Sequence, residues 1–361
     1  MQISNDLVLL ALSERKCYPL VACLKDRIQR TRSRASAPSR GAAMKQKTAF
    51  LALVLAALTF PALRSDGQIN GPLAPHKPEP APGSIQIDVD MVLVNVSVTD
   101  SYGHPVANLE KKDFRILEDN QEQEIMTFSR EDVPISIGVI FDTSGSMSDK
   151  MEASRRAAAQ FLKSSNPNDE FFLVSFNNRA RLESIFISDI ELLRQRMASL
   201  KPEGRTALLD AIDLGVAQMK NARNDRHVLL VISDGGDNHS RHNESEIRSL
   251  LQESDCQLYA LGIFDADDMR RTAEERNGPS LLSELAEMTG GHLFPVAGLS
   301  ELVDLSRKIG MELRTQYVLG YKPSDIRHDG RWRRIKVSLK PSNDQPPLTA
   351  RSRSGYYSPR D

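Results

Sequence analysis

One apolar segment ends in a cluster of oxygen-bearing side chains, which is the strongest candidate for a functional site in the sequence. Residues 137–142 are typical of a buried strand, and Asp142, Ser144 and Ser146 alternate from its end. The chain must turn there toward a helix, and Gly145 relieves crowding at the bend, so we expect the three oxygens to converge. Such oxygens suit a hard cation. Mg²⁺ needs near-octahedral coordination, so further ligands must come from other segments.

Two later segments offer those ligands. Thr206 stands at the entrance to an amphipathic helix, and residues 228–232 form a second apolar run that leads into Asp234. In an open parallel sheet, ligands bind in the crevice beyond the carboxyl ends of the strands. Asp142 and Asp234 would therefore meet there if their strands are neighbours. The sequence predicts one site that contains Asp142, Ser144, Ser146, Thr206 and Asp234.

The chain order Asp-x-Ser-x-Ser, then Thr, then Asp resembles the metal-ion-dependent adhesion site of the von Willebrand factor type A family. The resemblance implies that Ser144, Ser146 and Thr206 contact the metal. It implies that Asp142 and Asp234 bind the metal directly or through water and hold the hydroxyls in place. The implied ion is Mg²⁺, with Mn²⁺ or Ca²⁺ as alternatives. A remaining coordination position would accept an Asp or Glu carboxylate from a protein partner.

Three departures and alternatives accompany this interpretation. Arg205 stands where the family commonly has a small residue, and it would place a cation beside the incoming ligand. Lys150 replaces half of the acidic pair that integrin relatives use for a second cation, so no second metal is expected beside Asp149. A lone Asp-x-Ser-x-Ser is also typical of a capping turn before a helix, because both residue types satisfy free N–H groups.

Catalytic constellations are not found in the sequence. Ser144 interrupts the Asp-Thr-Gly pattern of pepsin-like proteases, and no second such motif is present for a carboxylate dyad. The chain has no His-Glu-x-x-His, no Gly-x-Ser-x-Gly elbow and no phosphate loop. We therefore predict a binding module and not an enzyme.

The amino end has the layout of a secretory signal. Residues 44–68 begin with a basic stretch, continue with a short apolar core and end in small and polar residues. Met44 then would be the true start, and residues 1–43 an overlong gene start. Residues 69–83 are a Pro-rich linker. We predict a secreted, periplasmic or cell-envelope protein. The alternative is that the apolar segment is retained as an amino-terminal anchor, which would be the only attachment to a membrane.

Periodicity divides the remaining chain into three parts. Residues 84–132 alternate apolar and polar residues as half-buried strands do, including a hairpin formed by residues 114–120 and 124–128. Residues 133–313 alternate strands with amphipathic helices, which is the pattern of an α/β fold with a doubly wound, mostly parallel sheet. Residues 314–361 return to strands. Neither β segment has enough strands for a two-layer core, so we expect them to pair into one smaller antiparallel, sandwich-like unit.

Composition and the whole-chain pattern limit the classes of function that the protein could have. Lys plus Arg at 47 against Asp plus Glu at 48 gives a formal net charge of -1, which gives no support to nucleic-acid binding. With Asp113-Phe114 and the segment Tyr317–Tyr321, the chain is similar to secreted von Willebrand factor A related proteins of acidobacteria. The resemblance implies a Rossmann-like domain and a metal-dependent adhesion or assembly module. The alternative is an envelope scaffold with a stabilising metal site, and a hydrolase has less support.

Overall fold

The structure is a computed structural model that describes residues 91–360, apart from 131, 235, 265–272, 297 and 341–346. The predicted overlong start, signal peptide and linker lie outside these residues. None of the helices in the described ranges combines the length and the apolar character needed to cross a bilayer.

Strands and helices alternate through the middle of the chain, with strands alone on both flanks. The strands are β1 Val92–Thr99, β2 Phe114–Glu118, β3 Gln121–Gln123, β4 Ile125–Ser129, β5 Ile135–Asp142, β6 Glu170–Phe176, β7 Ala180–Ile187, β8 Arg226–Ser233, β9 Cys256–Gly262, β10 Leu293–Pro295, β11 Tyr317–Tyr321, β12 Trp332–Leu339, β13 Thr349–Ser352 and β14 Gly355–Tyr357. The helices are α1 Met151–Leu162, α2 Ile190–Ser199, α3 Leu208–Met219, α4 Glu244–Glu253, α5 Ala273–Met288 and α6 Leu302–Arg314.

The central sheet has the strand order β10-β9-β8-β5-β6-β7, in which β7 is an antiparallel edge and the other five strands are parallel. All residues of β5 and β6 are buried, as expected for strands covered on both faces. Apolar side chains of α1, α2 and α6 cover one face. Those of α3, α4 and α5 cover the other. The predicted α/β class with a mostly parallel sheet is confirmed.

The flanking strands form two four-stranded antiparallel sheets, with the orders β13-β1-β11-β4 and β14-β12-β2-β3. Strand β1 lies between β11 and β13, so a strand from before the α/β region is paired on both sides with strands from after it. Both sheets contribute side chains to one apolar core, which includes Val96, Ile116, Leu319 and Val337. The apolar side chains of the two segments that flank the α/β region are therefore buried only when both segments pack together.

The predicted hairpin between residues 114–120 and 124–128 is wrong in its second strand. Strand β2 instead pairs with the short β3 through a two-residue turn. Asp119 and Asn120 have φ values of 46° and 67°, the left-handed conformation that such tight hairpin turns require. Strand β4 then crosses to the opposite sheet and pairs with β11.

Strand β7 and helix α2 were not predicted from the sequence. In β7, Leu182 and Ile185 are exposed, so the strand lacks the apolar alternation that marks a buried edge. Helix α2 is short and presents Leu193 and Met197 to the core. Its start is marked by Asp189, whose Oδ1 accepts hydrogen bonds from the N–H groups of Glu191 and Leu192.

Candidate metal site

The carboxyl ends of β5 and β8 bring the two predicted carboxylates to one place. The two strands are parallel neighbours, with Phe141 opposite Ile232 in the register. Strand β6 lies on the other side of β5, so the chain leaves β5 toward one side and returns as β8 on the opposite side. Asp142 ends β5, and Asp234 directly follows β8. They therefore lie at a topological switch point, where α/β sheets bind ligands.

Four of the five predicted ligands form one continuous chain of hydrogen bonds. The Asp142 carboxylate accepts from the Ser144 N–H at 2.8 Å and from the Ser233 hydroxyl at 2.6 Å. The hydroxyls of Ser144 and Ser146 lie 3.1 Å apart. The Ser146 hydroxyl donates to Oδ1 of Asp234 at 2.9 Å. These oxygens converge from the ends of two neighbouring strands.

Backbone hydrogen bonds attach the Thr206 segment to both other segments. The Thr206 N–H donates to Oδ1 of Asn238 at 2.9 Å, and the Asn238 N–H donates back to the Thr206 carbonyl at 3.0 Å. On the other side, the Gly145 N–H donates to the Gly204 carbonyl at 3.0 Å. Gly204 has φ +80°, a conformation that favours glycine. Within the described part of the chain the Thr206 hydroxyl makes no hydrogen bond, so its lone pairs are available to a ligand.

The charges of the site favour a cation. Burial, and after it the negative charge of Asp234, raise the pKa of Asp142 to about 6, although its hydrogen bonds with Ser233 and Ser144 act in the opposite direction. Two carboxylates that repel each other in a buried site gain stability from positive charge between them. Carboxylate and hydroxyl oxygens are also the donors that Mg²⁺ prefers. The residues present therefore fit a hard divalent cation.

Lys150 already supplies one positive charge. Its ammonium lies 2.7 Å from Oδ2 of Asp234, and only 7% of the Lys150 side chain and 2% of the Asp234 side chain are exposed. From the sequence, Lys150 is only the residue that replaces an acidic one, and its place in the site was not predicted. Ser233 and Asn238, which hold Asp142 and Thr206, were not predicted either. Ser233 directly precedes Asp234 in the sequence, and this adjacency was the one signal that could have identified it.

The donor set differs from that of most protein metal centres. The described ranges contain no group of three or more His, Cys, Asp or Glu side chains arranged to hold a metal ion. Here two carboxylates are combined with hydroxyls, which leaves few charged ligands around an ion. An ion held in this way would remain electron-poor and favour a further anionic ligand.

A cationic side chain lies on the rim of this site. Arg205 directly precedes Thr206 and is exposed. Its N–H donates to Oδ1 of Asn178 at 2.9 Å, which fixes the backbone of the residue. No ion pair or side-chain hydrogen bond of Arg205 is formed with any described residue. Its guanidinium is therefore free to meet a group that approaches from solvent.

Comparisons with known proteins agree with this fold. Residues 137–236 match the family model of the von Willebrand factor type A domain. The uncharacterized protein sll0103 of Synechocystis sp. is 23% identical over 139 residues, which are 37% of this chain and 33% of that protein. This chain therefore matches about a third of the length of that relative.

The solved structures that are similar to parts of this chain include two von Willebrand factor domain proteins. One is a von Willebrand factor type A protein from Catenulispora acidiphila, with 12% identity, a TM-score of 0.43, and coverage of 75% of this chain and 73% of the other. The second is the vWF domain of the type V pili tip protein Mfa5 from Porphyromonas gingivalis. It has 13% identity, a TM-score of 0.40, and coverage of 49% of this chain and 94% of the other.

Proposed function

Because the chain contains a von Willebrand factor type A domain, matched over residues 137–236, we propose that it is an exported binding module for adhesion or assembly. It captures a carboxylate of a partner protein on a divalent cation, Mg²⁺ in the first place. Domains of this family generally act as interaction modules, which favours a protein partner. Export is inferred from the signal-like residues 44–68.

The observation that carries the proposal is the convergence of side-chain oxygens at the ends of β5 and β8. Ser144, Ser146 and Thr206 would contribute hydroxyl ligands, and Asp142 and Asp234 would bind the ion directly or orient those hydroxyls. Hydrogen bonds to protein groups hold both carboxylates in place. Such preorganisation lowers the cost of assembling the site.

The cation would polarise and bind an incoming Asp or Glu carboxylate. Arg205 supports this part of the proposal because its exposed guanidinium directly adjoins the Thr206 ligand position. A guanidinium binds carboxylate through two parallel N–H groups, so Arg205 can contact the same partner group as the metal.

The alternative, a scaffold whose metal only stabilises the sheet edge, has less support. The hydrogen bonds of Gly145 to Gly204 and of Asn238 to Thr206 join the three segments of the site directly. These segments therefore have protein contacts of their own, whereas a partner carboxylate would need the metal.

Isothermal titration calorimetry of the chelator-treated protein with Mg²⁺ and Mn²⁺ tests the proposal. We expect one divalent site, and we expect Ser144→Ala to weaken it at least about tenfold because a ligand oxygen is lost. Ser148→Ala is the matched control, since this hydroxyl lies in the same loop but donates to the Gly145 carbonyl. Equal metal binding by wild-type protein and Ser144→Ala would refute the site.

A second titration separates the binding module from the scaffold. A capped tripeptide with a central Asp is added to the Mn²⁺-saturated protein, and the same peptide with Asn is the control. We expect binding of the Asp peptide only, and loss of that binding in chelator. If the metal raises the melting temperature but neither peptide binds, the scaffold interpretation is correct.

A further inference from the structure

We propose that a cavity between the central sheet and the flanking sheets binds a small organic carboxylate with an apolar body, which contacts Arg226 and Gln257. The cavity has a volume of about 1010 Å³, and cavities of this size hold small organic ligands. It lies at the amino ends of β8 and β9, whereas the candidate metal site lies beyond the carboxyl end of β8. The two sites are therefore separate.

Arg226 and Gln257 lie on the same face of the central sheet. Arg226 is the first residue of β8, and Gln257 is the second residue of β9. In the parallel register, Gln257 is opposite Val228, two residues after Arg226, so the alternation of side chains places all three on one face. Only 7% of Arg226 and 5% of Gln257 are exposed. Both residues line the cavity, so a group bound there can contact both.

The Arg226 guanidinium has unused hydrogen-bond donors. Its Nη2 donates to the Leu313 carbonyl at 3.1 Å and to the side-chain oxygen of Gln316. Its Nε has no hydrogen-bond partner, and its Nη1 donates to no described residue. No carboxylate in the described ranges forms an ion pair with Arg226. A buried charge is costly unless it is paired, so an anion in the cavity would stabilise this guanidinium.

Neighbouring charges do not replace such an anion. Asp132 and Asp169 act on the guanidinium from a distance, and both form ion pairs with Arg314. Burial lowers the pKa of Arg226 from 12.5 to about 10, and Arg314 acts in the same direction, whereas Tyr259 and the two aspartates oppose it. The aspartates therefore offset only part of the lost hydration.

The Gln257 amide provides a second unused donor. Its Nε2 is buried and has no hydrogen-bond partner. A buried donor without a partner costs free energy, which an acceptor on a ligand would recover. The unpaired atoms of Arg226 and Gln257 are all N–H donors. A carboxylate has two acceptor oxygens and can accept from both side chains at once.

The other walls favour an apolar body and a single negative charge. Leu93, Val318 and Trp332 supply apolar surface to the cavity. Asp225 and Glu253 also line it and are exposed, so they disfavour a ligand with several negative charges, such as a phosphate group. The remaining charged or titratable side chains of the wall include exposed Lys322, His328, and the ion-paired residues Asp255, Arg353, Asp325 and Arg327.

Isothermal titration calorimetry of the full chain with sodium octanoate tests the proposal. Chelator is present throughout, so that no divalent cation can bind the carboxylate at the metal site. Octanol and octylammonium are the control ligands, because they carry the same apolar tail without a negative charge. We expect octanoate to bind at one site, at least about tenfold more tightly than either control ligand.

Three variants assign the contacts. Arg226→Met keeps an apolar stem and should weaken octanoate binding at least about tenfold. Gln257→Leu has nearly the same volume and should weaken it about threefold to tenfold, because one hydrogen bond is lost. Lys322→Met is the matched control: it removes an exposed charge of the same wall and should change the affinity no more than about twofold.

The results that overturn the proposal are distinct from those that concern the metal. Octanoate that does not bind, or that binds no better than octanol, overturns it. Unchanged octanoate affinity in Arg226→Met does so as well. If circular dichroism shows that Arg226→Met does not fold, Gln257→Leu decides, because it removes an amide nitrogen without a partner, and an unchanged affinity then overturns the proposal. All these results are obtained in chelator, so they leave the proposed function intact.

Discussion

The raised pKa of Asp142 predicts how the stability of the metal-free protein depends on pH. The pKa is raised from 3.8 to about 6 in the folded state, so the folded protein binds this proton more tightly than the unfolded chain does. The resulting stabilisation is complete below the unfolded pKa and is lost as the pH rises through about 6. Compared with an unperturbed carboxyl, the raised pKa of Asp142 lowers the free energy of unfolding by about 3 kcal/mol at pH 7 and by about 1.5 kcal/mol at pH 5.

The substitution Asp142→Asn removes this titration. Any loss of hydrogen bonding to Ser144 or Ser233 in the variant is independent of pH and shifts its stability by a constant amount. Urea unfolding of both proteins in chelator should therefore show the wild type gaining about 1.5 kcal/mol on the variant between pH 7 and pH 5. Saturating Mg²⁺ should stabilise the charged form and reduce this gain. Parallel pH profiles of the two proteins in chelator would show that burial and the charge of Asp234 do not raise the pKa of Asp142.

Three further predictions concern the rest of the fold. Burial lowers the pKa of His292 from 6.5 to about 3, so the folded protein loses stability as the pH falls below 6.5. Urea unfolding at pH 4.5 should show the wild type about 2–3 kcal/mol less stable relative to His292→Phe than at neutral pH. A Cβ at Gly138 would lie 2.2 Å from Cζ of Phe172, so Gly138→Ala should cost about 1–3 kcal/mol in the same assay, and unchanged stability would contradict the close packing. The Tyr321 hydroxyl donates to buried Glu118 at 2.6 Å, so Tyr321→Phe should lower the free energy of unfolding by about 1–3 kcal/mol, whereas an unchanged midpoint would show that this hydrogen bond adds nothing.

The parts of the fold that followed from the sequence are those in which burial repeats with a regular period. Strands β5 and β8 are continuous apolar runs because helices cover both of their faces, and the sequence predicted both. Strand β7 could not be found in this way, since Leu182 and Ile185 on this edge strand face solvent. The pairing of β4 with the opposite sheet could not be predicted from the sequence either, because its partner β11 lies almost 200 residues further along the chain.

The site shows the same division between local and long-range information. Asp142, Ser144 and Ser146 are close in sequence, so their spacing alone predicts that their oxygens converge. Lys150 is also close in sequence, yet its role depends on Asp234, which reaches it only because β8 pairs with β5. Sequence spacing predicts which donors can gather, whereas the net charge around them depends on strand order. The charge that a bound cation or an acidic ligand would meet at this site therefore depends on the sheet as well as on the motif.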